Sequence, residues 1–371
     1  MLPNDYQPDH YESLLTRKVT RYLPSFEALG APPPRIYRSP TDAFRMRAEF
    51  RVWHEGDDLN FVMFDREKPK EPVVIETFPF ASLPIQKLLP ILRDALKNDA
   101  KLRYKLFQLE FLSTLSGDVL VTLIYHRKLD DEWAQAAKAL SSKLAIQVVG
   151  RSRGQKVVLD RDWLTETLTV QGKTFQYKQP EQAFIQPNAR VNESMLTWAC
   201  DQAQPSTRDL LELYCGIGNF TIPLSEKFRF VLATEVSKVA TRAALENLRL
   251  NTISNVEFAR LAAEEVTEAL SGTREFRRLK ALSTPIADYD LASVLVDPPR
   301  AGLDSATLSL VGGFDQILYI SCNPLTLLDN LSFLTESHDI TALAFFDQFP
   351  YTDHLECGVN LRRRGHHEVI E

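Results

Sequence analysis

The 371-residue chain reads as an α/β protein: a Rossmann-like parallel sheet covered by helices, over residues 181–371, preceded by an α+β domain over 1–180. Three observations carry that expectation. From Asp209 onward, short apolar runs alternate with helical periods, the pattern of strands in a parallel sheet. Between Phe44 and His126 the apolar residues recur every second position instead, as in antiparallel hairpins. Finally, two apolar strands break abruptly, one at Asp297-Pro298-Pro299 and one at Cys322-Asn323-Pro324, and ligands of open α/β sheets bind at such strand ends.

The elements follow in order. Phe44 to Phe64 alternates by twos around Glu55-Gly56-Asp57-Asp58, a hairpin signature that places Arg45, Arg47, Glu49 and Arg51 on one strand face. That face is either simply solvated or a basic platform for a phosphate backbone. Ile85 to Leu96 has helical periodicity, entered at Pro84 and open to a kink at Pro90. A second hairpin joins Lys105–Leu115 to Val119–His126 through Ser116-Gly117-Asp118, then a helix runs over Asp130–Leu144. Ala145 to Leu159 reads as strand, a basic loop with Arg151, Arg153 and Lys156, and strand again. Gln179 to Asn192 is proline-rich and irregular and leads into a helix over Glu193–Ala203, so the domain junction is placed there. Strands follow at Leu210–Leu213, Val231–Thr234, Val256–Ala259, Leu291–Val296, Gln316–Ile320 and Val359–Leu361, with helices at Thr221–Glu226 and Lys238–Asn251 and one starting near Leu325.

Composition bounds the function classes. With 44% hydrophobic and 25% charged residues the chain is ordinary globular material. It has no apolar run of 18 residues and no signal-like amino terminus, so a cytoplasmic protein away from membranes is expected. The four cysteines, Cys200, Cys215, Cys322 and Cys357, form no CxxC pair and no Cys/His ligand spacing, so neither a metal site nor a disulfide is expected. The net charge of −6 hides an asymmetry, because residues 1–180 hold 27 Lys+Arg against 23 Asp+Glu, and the remainder hold 16 against 26. The first part is the one suited to a polyanion, although +4 is also within ordinary surface variation.

The strand-end motifs carry the chemistry. Leu213-Tyr214-Cys215-Gly216-Ile217-Gly218-Asn219-Phe220 lies at the first strand-to-helix turn, where two glycines let the backbone approach a ligand. Glu235, nineteen residues beyond Gly216, ends the second strand, where a carboxylate can accept hydrogen bonds from both hydroxyls of a ribose. The turn lacks the third glycine expected of a pyrophosphate site, which favours S-adenosyl-L-methionine over NAD. Asp297 and Arg300 project from a backbone stiffened by two prolines. Cys322, at a strand end before a helix, is read as a nucleophile whose thiol pKa the helix's positive end would lower, against the alternative of a small packed hydrophobe. In Asp347–Gly358, either His354 or Glu356 is a candidate general base, while Glu356 paired with Arg362 or Arg363 would be merely structural.

Taken together, Phe184-Ile185-Gln186-Pro187-Asn188, the Glu212–Phe220 turn, Asp297–Asp304, Tyr319–Pro324 and Asp347–Cys357 resemble the RNA uracil-5-methyltransferase family, over nearly the whole chain. Within it the likeness is strongest to the tRNA (uracil-5-)-methyltransferase branch, which forms 5-methyluridine in the T-loop. The resemblance implies that Gln186, Tyr214, Asn219, Glu235 and Asp297 bind S-adenosyl-L-methionine, that Cys322 adds to uracil C6, and that Glu356 removes the C5 proton. It further implies a tRNA T-arm as partner, no metal, and a monomer. Ribosomal-RNA members carry an extra amino-terminal barrel and a cysteine-rich iron–sulfur site, neither of which the sequence shows. Segments Met46–Trp53 and Leu106–Gln108 resemble those that grip the T-arm, with Phe50 and Phe107 as stacking platforms and Arg45, Arg47 and Arg51 on phosphates. Two departures are Ile217, where relatives often have a polar residue, and the Gly365-His366-His367-Glu368 tail. The alternatives are the same chemistry on ribosomal or other T-arm-like RNA, an RNA-folding protein with secondary catalysis, and a NAD-dependent oxidoreductase, which would leave Cys322 and Glu356 unexplained.

Overall fold

The structure is a computed structural model; it describes residues 1–65 and 67–365, so the His366-His367-Glu368 departure lies outside the described residues. The chain opens with helix α1 (Tyr11–Ala28) and strand β1 (Arg35–Tyr37). Next come β2 (Arg47–Glu55), β3 (Asp58–Phe64), β4 (Pro72–Val74), α2 (Leu83–Asn98), α3 (Ala100–Arg103), β5 (Leu106–Ser113), β6 (Val119–Tyr125), α4 (Asp131–Leu144), β7 (Gln147–Ser152) and β8 (Gln155–Val158). A hairpin of β9 (Trp163–Val170) and β10 (Lys173–Pro180) leads to α5 (Ala189–Gln202). The rest is β11 (Asp209–Leu213), α6 (Thr221–Leu224), β12 (Val231–Thr234), α7 (Lys238–Leu250), β13 (Val256–Ala259), α8 (Ala263–Leu270), β14 (Leu291–Val296), α9 (Ser305–Val311), β15 (Gln316–Ser321), α10 (Pro324–Leu334), β16 (His338–Phe346) and β17 (Glu356–Arg363).

Two sheets result. Seven strands in the order β4-β3-β2-β5-β6-β7-β8 bury one face against α2 and α4 through Phe50, Phe61, Leu92, Phe111 and Trp133. The other sheet has eight strands, in the order β1-β16-β17-β15-β14-β11-β12-β13. Its strands alternate between two cores, as a period of two requires: Leu211, Val294, Val296, Ile317 and Tyr319 face one, Leu210, Leu295, Leu318 and Ile320 the other.

The α/β reading and the strand positions hold, but the sheets do not divide at residue 180. Five amino-terminal residues of α1 (Tyr11, Leu15, Val19, Tyr22 and Phe26) are buried in the eight-stranded sheet's core, and β1 pairs in parallel with β16. The β9–β10 hairpin contributes Leu168, Val170, Phe175 and Tyr177 to that sheet's other core. The helix expected from Glu193 begins at Ala189, because the Asn188 side chain accepts from the Val191 amide at 3.2 Å and caps it.

β17 runs antiparallel between β15 and β16, so its first residue lies at the edge where the parallel strands end. Gly358 permits this tight fit: a Cβ there would stand 2.7 Å from Cζ3 of Trp198, 2.9 Å from Cη2 of that ring and 3.0 Å from Phe346 Cε2. Because α5 backs the indole, Gly358→Ala is expected to lower the unfolding free energy by about 1–3 kcal/mol, as overpacking does. Urea unfolding checks this; an unchanged midpoint contradicts it.

Candidate active site

The strand register assembles the site. Ser321 of β15 pairs with Cys357 of β17, so the next residue in each direction, Cys322 and Glu356, meet where the strands part. Val296 of β14 pairs with Leu213 of β11 on one side and Tyr319 of β15 on the other, which sets Asp297 between Tyr214 and the Cys322 strand. All seven residues singled out from sequence, Gln186, Tyr214, Asn219, Glu235, Asp297, Cys322 and Glu356, line one cavity of about 710 Å³.

One arm of the cavity is built from backbone. Tyr214, Gly216 and Gly218 adopt φ of 61°, 57° and 83°, so the turn needs glycine at two places and holds Tyr214 in a strained left-handed conformation. Glu235 accepts from the Gly216 amide at 3.1 Å and from the Ser237 amide at 2.7 Å, fixing its carboxylate across the mouth of this arm. Asn219 is locked by a reciprocal amide pair with Asn192 of α5, 2.9 Å each way, while Tyr177 donates to the Asn219 carbonyl at 3.0 Å. Asn192 and Tyr177 carry no sequence signal of their own, since a single asparagine or tyrosine in a periodic segment reads as packing. A fixed carboxylate, an amide and an open glycine turn fit an adenosine-containing ligand without phosphate.

The other arm is acidic. Glu356 is buried, and burial together with the nearby Asp297 carboxyl holds it protonated well above the usual carboxylate range. Burial likewise raises Asp297. Cys322 departs from expectation: burial first, then Glu356 and Asp297, push its thiol up to about 11, against the lowering pull of Arg300 and of a backbone hydrogen bond. The helix end expected to lower it is already spent, because Pro324 has no N–H and the Leu325 amide donates to the Asn323 side chain at 3.2 Å. Glu356 does not pair with the strand's arginines; Arg363, at the far end of β17, bonds Asp315 instead. His354 lies at the mouth, its Nδ1 3.3 Å from an Arg300 guanidinium nitrogen. Cys200, Cys215 and Cys357 are buried, and all four cysteines are free thiols.

Comparison with known proteins places this arrangement. The family model described as tRNA (Uracil-5-)-methyltransferase matches residues 10–364. The chain belongs to that family. It is 52% identical over 354 residues to the tRNA/tmRNA (uracil-C(5))-methyltransferase of Acinetobacter baylyi, covering 95% of this chain and 98% of that protein. The protein of the same description from Dechloromonas aromatica is also 52% identical, over 359 residues, covering 97% and 99%. Among solved structures, the Pyrococcus abyssi tRNA (uracil-54, C5)-methyltransferase in complex with S-adenosyl-L-homocysteine superposes with a TM-score of 0.71 at 20% identity, covering 95% of this chain and 83% of that one, which establishes the shared fold.

For this family member, the seven-stranded sheet departs from the expected RNA face in detail. Phe50 is 1% exposed and packed among Phe61, Phe78 and Phe111, because its side of β2 faces the helices; it is core, not a stacking platform. Arg47 is also turned inward, donating to the carbonyls of Glu181 at 3.0 Å and Ala183 at 2.9 Å. Arg45 gives its Nε to the Arg47 carbonyl at 2.8 Å. Arg51 is exposed and lies 4.0 Å above the Phe107 ring, which in turn stacks on His126 with centroids 4.0 Å apart. Ile217, the apolar departure, is buried against Leu112, Leu120, Val149 and Ile185, joining the glycine turn to that sheet. Among the described residues no helix is long and apolar enough to cross a membrane.

Glu212 sits beneath the glycine turn, fully buried, and burial, only partly offset by the neighbouring Thr221, raises its pKa from 4.5 to about 8. A raised folded-state pKa contributes stability that is complete below the unfolded value and disappears as pH rises through the folded one. Glu212→Gln, which cannot ionise, is therefore expected to gain on the wild-type protein by roughly a few kcal/mol of unfolding free energy between about pH 5 and pH 8. Urea titrations at the two pH values measure the difference; a pH-independent gap contradicts it.

Proposed function

We propose that this protein methylates C5 of the T-loop uridine in tRNA, using S-adenosyl-L-methionine, through a covalent bond between Cys322 and uracil C6. The observation that carries the reading is the juxtaposition of Cys322 and Glu356 on one wall of the cavity whose other arm holds Glu235, Asn219 and the glycine turn. Gln186, Tyr214, Asn219, Glu235 and Asp297 are its cofactor-binding set.

Uracil C5 is a poor nucleophile until a group adds at C6. Cys322 supplies that group: its thiol gives up its proton to solvent, and as the sulfur bonds C6, the C5–C6 double bond shifts its electrons to an enolate rich at C5. S-adenosyl-L-methionine, when bound, supplies an electrophilic methyl on a positively charged sulfur. Burial raises Cys322, Asp297 and Glu356, with Asp297 adding to it at Glu356 and both carboxyls at Cys322, and all three ionise more readily beside a positive charge. Ionised Glu356 then takes the proton from methylated C5, the C5–C6 double bond reforms, and the thiolate of Cys322 leaves. The uridine must leave its stack to present its faces, at a cost of roughly a few kcal/mol. Docking on the seven-stranded sheet offsets that cost, with the Arg51–Phe107–His126 stack offering an aromatic face and a cation to the T-arm. Relatives named for both tRNA and tmRNA favour a site that accepts T-arm-like loops more broadly.

The test uses T-arm RNA with 5-fluorouridine at the target. Fluorine cannot leave as a proton, so a methylated protein–RNA adduct is expected to accumulate, to persist in Cys357→Ala and to vanish in Cys322→Ala. RNA binding without any adduct contradicts the covalent reading. Parallel ribosomal-RNA fragments distinguish the substrate class, and labelling of those fragments alone would contradict the tRNA reading.

A further inference from the structure

Lys18 plays no part in the chemistry above, yet it is one of the most enclosed charges in the molecule, 5% exposed on α1. Its Nζ donates to Asp347 Oδ1 at 2.7 Å and to the Phe349 carbonyl at 2.8 Å. Both acceptors belong to the 347–355 connection between β16 and β17, which brings Phe349 and His354 to the cavity and runs directly into Glu356. Burying a lysine–aspartate pair is a poor way to gain stability, because desolvating both charges cancels most of their attraction. What such a pair does fix is geometry.

The same amino-terminal segment grips the connection again two residues on. The Tyr351 ring packs edge-on to Tyr6 and Tyr11, with centroids 5.8 and 6.2 Å away, and its hydroxyl donates to the Thr41 carbonyl at 2.6 Å. Tyr11, in turn, accepts from the Ser39 amide at 2.8 Å. Positions 347, 349 and 351 are thus held by residues more than three hundred positions earlier in the chain, whereas the connection's own backbone offers little regular structure between β16 and β17.

We propose that Lys18 is a positioning residue for methyl transfer: by bonding Asp347 and the Phe349 carbonyl it holds the 347–355 connection so that Phe349 and His354 close the substrate side of the cavity beside Cys322. This deepens the proposed function and rests on it. Since small misplacements of positioning groups cost large factors in rate, Lys18→Met is expected to slow single-turnover methyl transfer to T-arm RNA by about tenfold or more. Lys18→Arg, which keeps the charge and its donors, restores the rate to within about threefold of wild type, and KM for S-adenosyl-L-methionine stays within about threefold throughout, because the other arm of the cavity is untouched.

A second readout needs no catalysis: amide hydrogen exchange is expected to quicken across 347–355 in Lys18→Met while β11 and β14 keep their protection. The double variant Lys18→Met/Asp347→Asn removes the stranded buried charge; it is expected to fold and to remain slow. Methyl transfer at the wild-type rate in the single variant, or in the double variant where the single one does not fold, overturns the proposal. So does unchanged exchange across 347–355. A wild-type protein that transfers no methyl would sink the proposed function instead, leaving the exchange measurement to judge the Lys18 contact by itself.

Discussion

The structure depends on one topological constraint: an antiparallel strand inserted into an otherwise parallel sheet. Parallel strands deliver side chains to a site only at their carboxyl ends, which is where Tyr214, Glu235, Asp297 and Cys322 stand. β17 runs the other way and so delivers its first residue, Glu356, to the same edge. A residue thirty-four positions beyond Cys322 thereby becomes its neighbour.

Crowding three acidic groups into that edge sets the electrostatics. Burial disfavours the ionisation of all three, and Asp297 adds to it at Glu356 and, together with Glu356, at Cys322. With its thiol pushed up to about 11, Cys322 would act as a nucleophile only with a positive charge bound beside it. The neighbouring parts serve this edge: Ile217 and Ile185 pack the glycine-turn arm onto the seven-stranded sheet, and α1 clamps the connection that carries Phe349 and His354.

Much of this was legible in the sequence because strand-end motifs are local. A strand, a turn and the residue between them occupy fewer than ten positions, and Tyr214, Asn219, Glu235, Asp297 and Cys322, which lie in such motifs, line a single cavity with Gln186 and Glu356, which the family resemblance and a polar loop supplied. What the sequence concealed was non-local. The pairing of β1 with β16 and the burial of α1 involve partners hundreds of residues apart, and Pro24 inside α1 blurs its helical pattern. The core position of Phe50 follows from which face of β2 meets the helices, which alternation by itself leaves undecided, whereas Arg47, on the opposite face, is taken up by the Glu181 and Ala183 carbonyls. The thiol of Cys322 misled for a related reason: its helix was visible, whereas the capping of that helix by Asn323 and the approach of Glu356 were not.

The central claim is that Cys322 and Glu356 act on opposite ends of one covalent cycle, the first to form the adduct and the second to release it. Glu356→Gln, incubated with S-adenosyl-L-methionine and T-arm RNA carrying tritium at uridine C5, tests both halves in one sample. The account predicts that intact-protein mass shows methylated RNA bound to Cys322 while the tritium stays on C5. Release of tritium at the wild-type rate, or methyl transfer with no adduct, would contradict it.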